Sequence, residues 1–161
     1  MKNLLLIRHG KSSWESFNSD FERPLIPRGI DDISHIARKS ISILPNHFII
    51  WSSSAKRASE TALIFAKNID FPTNEIIFKQ ELYTFDEHEL EKIIKTCPND
   101  CDTLILFGHN EAISNFVNKF GNIFVGHVPT SGLVSIEFEI DNWAEIKKGK
   151  TIKTLFPKNL K

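Results

Sequence analysis

The 161-residue chain is short of several things, and each shortage narrows what it does. It has only two cysteines, Cys97 and Cys101, in the stretch CPNDC. That spacing with no histidine nearby is a poor zinc pattern, and a cytosolic disulfide would be unusual, so both are read as ordinary thiols. It has no excess charge, because 20 basic residues stand against 20 acidic ones. No global field draws it to nucleic acid or to an anionic membrane, and any anion binding must be local. It has no long hydrophobic run. The segment after Met1 offers one lysine and the apolar stretch LLLI, too short for a signal-peptide core. Nothing elsewhere is long enough to span a bilayer, so a cytoplasmic location is expected. Finally, no Pro/Gly/Ser-rich linker or shift in composition divides the chain, which is read as one domain over residues 1–161.

What the chain does have is alternation. LLLIRHG is a run of aliphatic residues leading straight into Arg8, His9 and Gly10, the pattern of a strand buried on both faces. A long loop rich in turn formers follows, GKSSWESFNSDFERPLIPRG, of the length that tends to be functional or mobile. Ile33, Ile36, Ala37, Ile41 and Leu44 then recur at helical spacing, predicting a helix from about Asp31 to Leu44 that stops before Pro45. FIIW over Phe48–Trp51 reads as a second strand. It delivers the chain into SSSAKRASETALIFAKN, where Ala58, Ala62, Phe65 and Ile69 share a helix face and Arg57 falls in the first turn. Asp86 and Glu89 have capping-box spacing ahead of a third helix carrying Leu90, Ile93 and Ile94. TLILFGHN repeats the opening pattern: a strand over Leu104–Phe107, then Gly108, His109 and Asn110, with Asn110 placed to cap a helix bearing Ile113, Phe116, Val117 and Phe120. From Leu133 the period becomes two, predicting a strand with one wet face. WAEIKKGKTIKTLF reads as a peripheral hairpin turning near Gly149, and the basic stretch KKGKTIKTLFPKNLK as a solvated edge and tail with no assigned function. The fold class expected is a three-layer α/β/α arrangement with a mostly parallel central sheet and helices on both faces.

Three strand ends thus bring Arg8 with His9, Arg57, and His109 to the carboxyl edge of a sheet, where open α/β folds bind ligands. A cation in a helix's first turn is electrostatically misplaced unless an anion binds there. Two arginines suit a tetrahedral dianion, because each planar fork makes paired charge-assisted hydrogen bonds to phosphate oxygens. With two histidines they make a phosphoryl pocket. Gly10 would leave room where the backbone approaches the ligand. Lys11, Ser12 and Ser13 are near enough in sequence to touch the phosphate. Arg23 lines the entrance or anchors the long loop, Arg28 anchors it, and Thr130 with Ser131 shape the pocket floor. The remaining histidines, His35, His47, His88 and His127, lack such context and are read as structural or exposed. No metal is expected, since there is no HExxH or compact His/Cys/Asp cluster and paired arginines would repel a cation.

RHG after the first strand, SSSAKRASETA after the second and GHN after the third resemble the histidine phosphatase superfamily, the phosphoglycerate mutase-like enzymes. RHGKSSW, DFERPLIPRG, ELY and VPTSG resemble more narrowly the SixA-type phosphohistidine phosphatases. The resemblance implies covalent catalysis: His9 attacks phosphorus, Arg8, Arg57 and His109 hold the equatorial oxygens, and water hydrolyses the phosphohistidine formed. Gly10 and Asn110 would complete the substrate-binding set, and no cofactor is implied. Many superfamily members use a carboxylic acid to protonate the leaving oxygen. Glu81 in QELYTFD is the nearest matching position, with Asp86 an outside candidate. SixA-like relatives act on histidine-phosphorylated proteins, and such a partner is expected here. The alternatives are a phosphatase of small phosphate monoesters using Glu81 as general acid, and a phosphohistidine-binding module without catalysis.

Overall fold

The computed structural model describes residues 1–15 and 19–160, so residues 16–18 of the long loop and the last lysine of the basic tail lie outside it. Its centre is a six-stranded sheet in the order β3-β2-β4-β1-β5-β6. The strands are β1 (Lys2–Arg8), β2 (Ile49–Ser53), β3 (Ile77–Lys79), β4 (Thr103–Gly108), β5 (Leu133–Phe138) and β6 (Lys150–Leu155). β1, β2, β3 and β4 are parallel, and β5 runs antiparallel to both β1 and β6. The helices are α1 (Pro27–Ser40), α2 (Lys56–Asn68), α3 (Glu87–Ile94) and α4 (Ala112–Phe120).

The aliphatic run of β1 is explained by which core each residue enters. Leu4 and Leu6 join a cluster with Leu90, Ile94, Ile113, Phe116 and Val117 of α3 and α4. Leu5 and Ile7 point the other way, into a cluster with Ile33 and Ile36 of α1 and Phe65 of α2. Alternate residues of one strand therefore feed two cores, and neither face can be polar. This is the three-layer α/β/α architecture expected. No helix of the described residues is long and apolar enough to cross a membrane.

Several details differ from the expectations. α1 begins at Pro27, four residues before Asp31, because proline at the first helical position needs no amide partner. It gives way to a 3-10 turn over Ile41–Ile43. β3 has only three residues and no apolar alternation to betray it. β5 has no wet face: covered on both sides, Ser135 is buried and Glu137 half-buried. The carboxylate of Asp86 caps α3 by accepting the His88 amide at 2.9 Å, but Glu89 turns away to pair with Lys92. The hairpin expected to turn near Gly149 is not there: Trp143–Glu145 is a 3-10 turn, and β6 pairs with β5 instead. Trp143 is fully buried with its indole N–H on the Cys101 carbonyl at 2.8 Å. Cys97 and Cys101 are free, and a hydrogen bond from Cys97 holds the Cys101 thiol below its ordinary value.

The loop after β1 is pinned by backbone contact with the start of α1. Ile26 donates its amide to the Lys11 carbonyl, Ser12 bridges Leu25, and a Cβ on Gly29 would stand 2.3 Å from the Lys11 carbonyl oxygen. Gly29→Ala is therefore expected to cost about 1–3 kcal/mol and to lower Tm by roughly 2–12 °C in a thermal melt.

Candidate functional site

The strand register sets the site. Arg8 pairs with Gly108 across β1 and β4, and Ser52 pairs with Phe107 across β2 and β4, so three strands end level. Arg8 closes β1, His9 and His109 follow β1 and β4, and Arg57 enters from the first turn of α2. α2 also holds the turn after β1 directly: Thr61 Oγ1 accepts the Gly10 amide at 2.9 Å and donates to the Arg57 carbonyl at 2.6 Å.

His9 is buried, and two neighbours fix its tautomer. Nδ1 lies 2.7 Å from the Gly10 carbonyl, which can only accept, so Nδ1 carries the proton. Arg57 Nε, which can only donate, lies 3.3 Å from Nε2, so Nε2 carries the lone pair. Charge state follows the same logic. Desolvation, reinforced by Arg57, Arg8 and Arg23, brings the His9 pKa down to about 3 against the opposing pull of the Gly10 carbonyl. The ring is neutral, with a free nucleophilic nitrogen beside fixed positive charge.

His109 packs against it, ring centroids 5.3 Å apart, and is flanked by Tyr83 and Phe85. Its Nε2 meets Ser53 Oγ at 2.9 Å, while its Nδ1 is buried with no partner among the described residues. Desolvation, then His9 and Arg57, brings its pKa down to about 2. A phosphoryl oxygen would satisfy the orphaned nitrogen.

Both rings being neutral when folded, the sign of the pH dependence is set. The ordinary value is 6.5, so between about pH 6.5 and pH 3 the unfolded chain binds protons that folded His9 does not. Stability is expected to fall as pH drops through that window, by up to about 1.4 kcal/mol per pH unit for each ring. Urea titrations at pH 7, 6 and 5 measure the slope, and a His9→Ala variant should lose one ring's share.

The cavity at this edge has a volume of about 350 Å³ and is lined by Arg8, His9, Arg57 and Asn110 together with Asp20, Arg23 and Phe85. Lys11, Ser12, Trp14 and Thr130 complete its wall. His109 lies behind the lining. Arg8 is held by its Nη1 on the Val128 carbonyl at 3.0 Å. Asn110 serves the helix end as expected, accepting the Ser114 amide at 3.1 Å while donating to the Val128 carbonyl at 3.0 Å. Arg23 both lines the cavity and anchors the loop, through Ser12, the Ser13 carbonyl and Asp20, with Trp14 stacked over it at 3.7 Å. Among the described residues no cluster of three His, Cys, Asp or Glu side chains is placed to hold a metal.

Two expectations need correction and two gain detail. Gly10 is crowded by the protein itself: a Cβ there would meet the Gly29 carbonyl at 3.0 Å and Ser131 Oγ at 3.2 Å. Ser131 is accordingly buried behind the turn in a left-handed conformation, φ 62°, and does not form the pocket floor. His127 is exposed as expected, yet it has neighbours, its Nε2 lying 3.1 Å from Arg8 Nη1 and its Nδ1 3.8 Å from Glu111. Glu81 sits exposed on a 3-10 turn over Gln80–Leu82 and is not in the cavity wall, nor is the equally exposed Asp86.

The carboxylate that does reach the cavity is Asp20, which the sequence reading passed over. It accepts from Arg57 Nη2 at 3.0 Å and from the Tyr83 hydroxyl, and Arg57 Nη1 also donates to its backbone carbonyl. Desolvation would raise its pKa, but the hydrogen bonds from Tyr83 and Arg57 and the charges of Arg57 and Arg23 outweigh that and hold it at about 2. Its one sequence signal was position, three residues before Arg23 in the loop facing the site.

Such a fold and edge define an α/β protein with an uncharged histidine set among arginines at the carboxyl end of its sheet. The chain belongs to the histidine phosphatase superfamily (branch 1), whose family profile matches residues 4–93. Among curated proteins no relative matches it. Among solved structures it is similar to the protein histidine phosphatase SixA complexed with tungstate, at 20% identity, TM-score 0.82 and 99% coverage of both chains. It is similar also to a structure described as phosphohistidine phosphatase SixA from Nakamurella multipartitia, at 18% identity and TM-score 0.82, covering 97% of this chain and 96% of that one. A SixA structure from Agrobacterium tumefaciens matches at 21% identity and TM-score 0.76, covering 96% and 97%. At these identities the likeness speaks for the phosphoglycerate mutase-like fold.

Proposed function

We propose that this chain is a phosphatase that removes the phosphoryl group from phosphohistidine on a protein, by way of a covalent phosphohistidine on His9. The lone pair of His9 Nε2 attacks phosphorus as the bond to the substrate's ring nitrogen breaks. That nitrogen leaves with the electron pair and a proton from solvent. Water then attacks the phosphoryl group on His9, and inorganic phosphate departs as Nε2 recovers its lone pair. The Gly10 carbonyl holds Nδ1–H throughout and steadies the charge that the ring takes on. Arg57 Nε, which covers Nε2, exchanges that contact for a phosphoryl oxygen, and Arg8 and His109 hold the other two.

The observation that carries this reading is the pairing of an unprotonated His9 with a carboxylate, Asp20, held at about pKa 2. At neutral pH Asp20 has no proton to give. An alkyl ester must expel a poor alkoxide and benefits from a positioned acid, whereas a ring nitrogen is basic enough to be protonated without one. With Glu81 outside the cavity wall, the site is better suited to a P–N bond than to a small phosphate ester.

The test is phosphate release from a phosphohistidine protein, a sugar phosphate and an aryl phosphate, with rapid-quench trapping in alkali. The phosphohistidine protein is expected to turn over fastest, with an acid-labile phosphoryl adduct on the enzyme and no change on adding EDTA. Release without that adduct would overturn the covalent route. A protein that shielded the phosphoryl group instead of releasing it would be a binding module.

A further inference from the structure

We propose that a small cleft beside the catalytic cavity receives an acidic side chain of the substrate protein, so that the enzyme favours phosphohistidines flanked by carboxylates. This rests on the phosphohistidine reading above. The cleft, of about 120 Å³, is walled by Lys11, Arg28, Asp32, Thr130 and Lys158, with Pro129 and Pro157 behind them. Lys11 and Thr130 also line the catalytic cavity, so the two hollows are neighbours that share a wall.

The charge of the cleft is the reason for the assignment. Its three cations come from separate parts of the chain: the turn after β1, the first turn of α1, and the 3-10 turn over Pro157–Asn159. All three are exposed. The carboxylate facing them, Asp32, is largely withdrawn, with its side chain 11% exposed and engaged by Arg28 at 3.6 Å. Among the described residues neither Lys11 nor Lys158 has an ion-pair partner. In a chain of zero net charge this is a local surplus. Because the cleft lies outside the cavity that takes the phosphoryl group, its field acts on whatever surrounds the phosphohistidine. Complementary charge of this kind raises encounter rates and selects partners. The basic carboxyl-terminal stretch thereby gains a role through Lys158.

The experiment compares two nonapeptides with a central phosphohistidine, one flanked by glutamates and one by lysines, with N-phosphoimidazole as a substrate bearing no flank. The expected kcat/KM is about tenfold higher for the glutamate peptide at low salt, narrowing as salt is added. The double variant Arg28→Gln with Lys158→Gln should abolish most of that preference through KM while leaving N-phosphoimidazole turnover unchanged. Equal turnover of the two peptides, or a preference that survives the double variant, would overturn the inference and leave the phosphohistidine reading standing. Failure to hydrolyse either peptide or N-phosphoimidazole would overturn both.

Discussion

His9→Ala is expected to yield a folded protein whose turnover of a phosphohistidine substrate has fallen by at least about 10⁴-fold, since it removes the unprotonated ring nitrogen proposed to attack phosphorus. The fold should survive. Removing the ring frees the Gly10 carbonyl and Arg57 Nε, a loss of about 1–3 kcal/mol against a typical stability of about 5–15 kcal/mol. It also removes a buried ring that acid must protonate, so the variant should resist acid better than the parent. Phosphate release measured beside a circular-dichroism melt checks both halves. Turnover retained in a well-folded variant would remove His9 from the reaction.

Arg57→Ala is expected to lower kcat/KM by about 10²–10³-fold. Arg57 is 1% exposed and does three things from one guanidinium: Nε covers His9 Nε2, Nη2 holds the Asp20 carboxylate, and Nη1 holds the Asp20 backbone. Without it the cavity keeps a carboxylate and loses a cation, so an incoming phosphoryl dianion meets repulsion where it had met attraction. Arg57→Lys should not rescue, because an ammonium cannot present a planar fork to two oxygens. Vanadate binding, read by inhibition, should weaken in both variants. Vanadate affinity equal to the parent's would show that Arg57 is a brace for the loop and not a ligand for the phosphoryl group.

The sequence made legible the parts of the site that sit at strand ends. Arg8, His9 and His109 each follow an aliphatic run, and Arg57 follows one by a short turn, so periodicity alone placed them together. What it hid were residues brought in by loops. Asp20 lies in a long connection with no period to locate it, and only the folding of that connection over α2 puts it on Arg57. His127 is reached because the chain after α4 runs back along that helix, held by Asn118 and Ser114, to end beside Arg8. Gly10 was legible as necessary, but its crowding by the Gly29 carbonyl was not, since that group belongs to a helix start distant in sequence. β3 and the buried Trp143 escaped because each depends on tertiary cover rather than on a local pattern.

Asp20 gives Arg57 a partner of its own. Any anion that reaches the guanidinium, substrate and orthophosphate alike, gains only the difference between its own grip and that of the resident carboxylate. Tight binding at this corner of the cavity is thereby reserved for ligands that offer more than a carboxylate does.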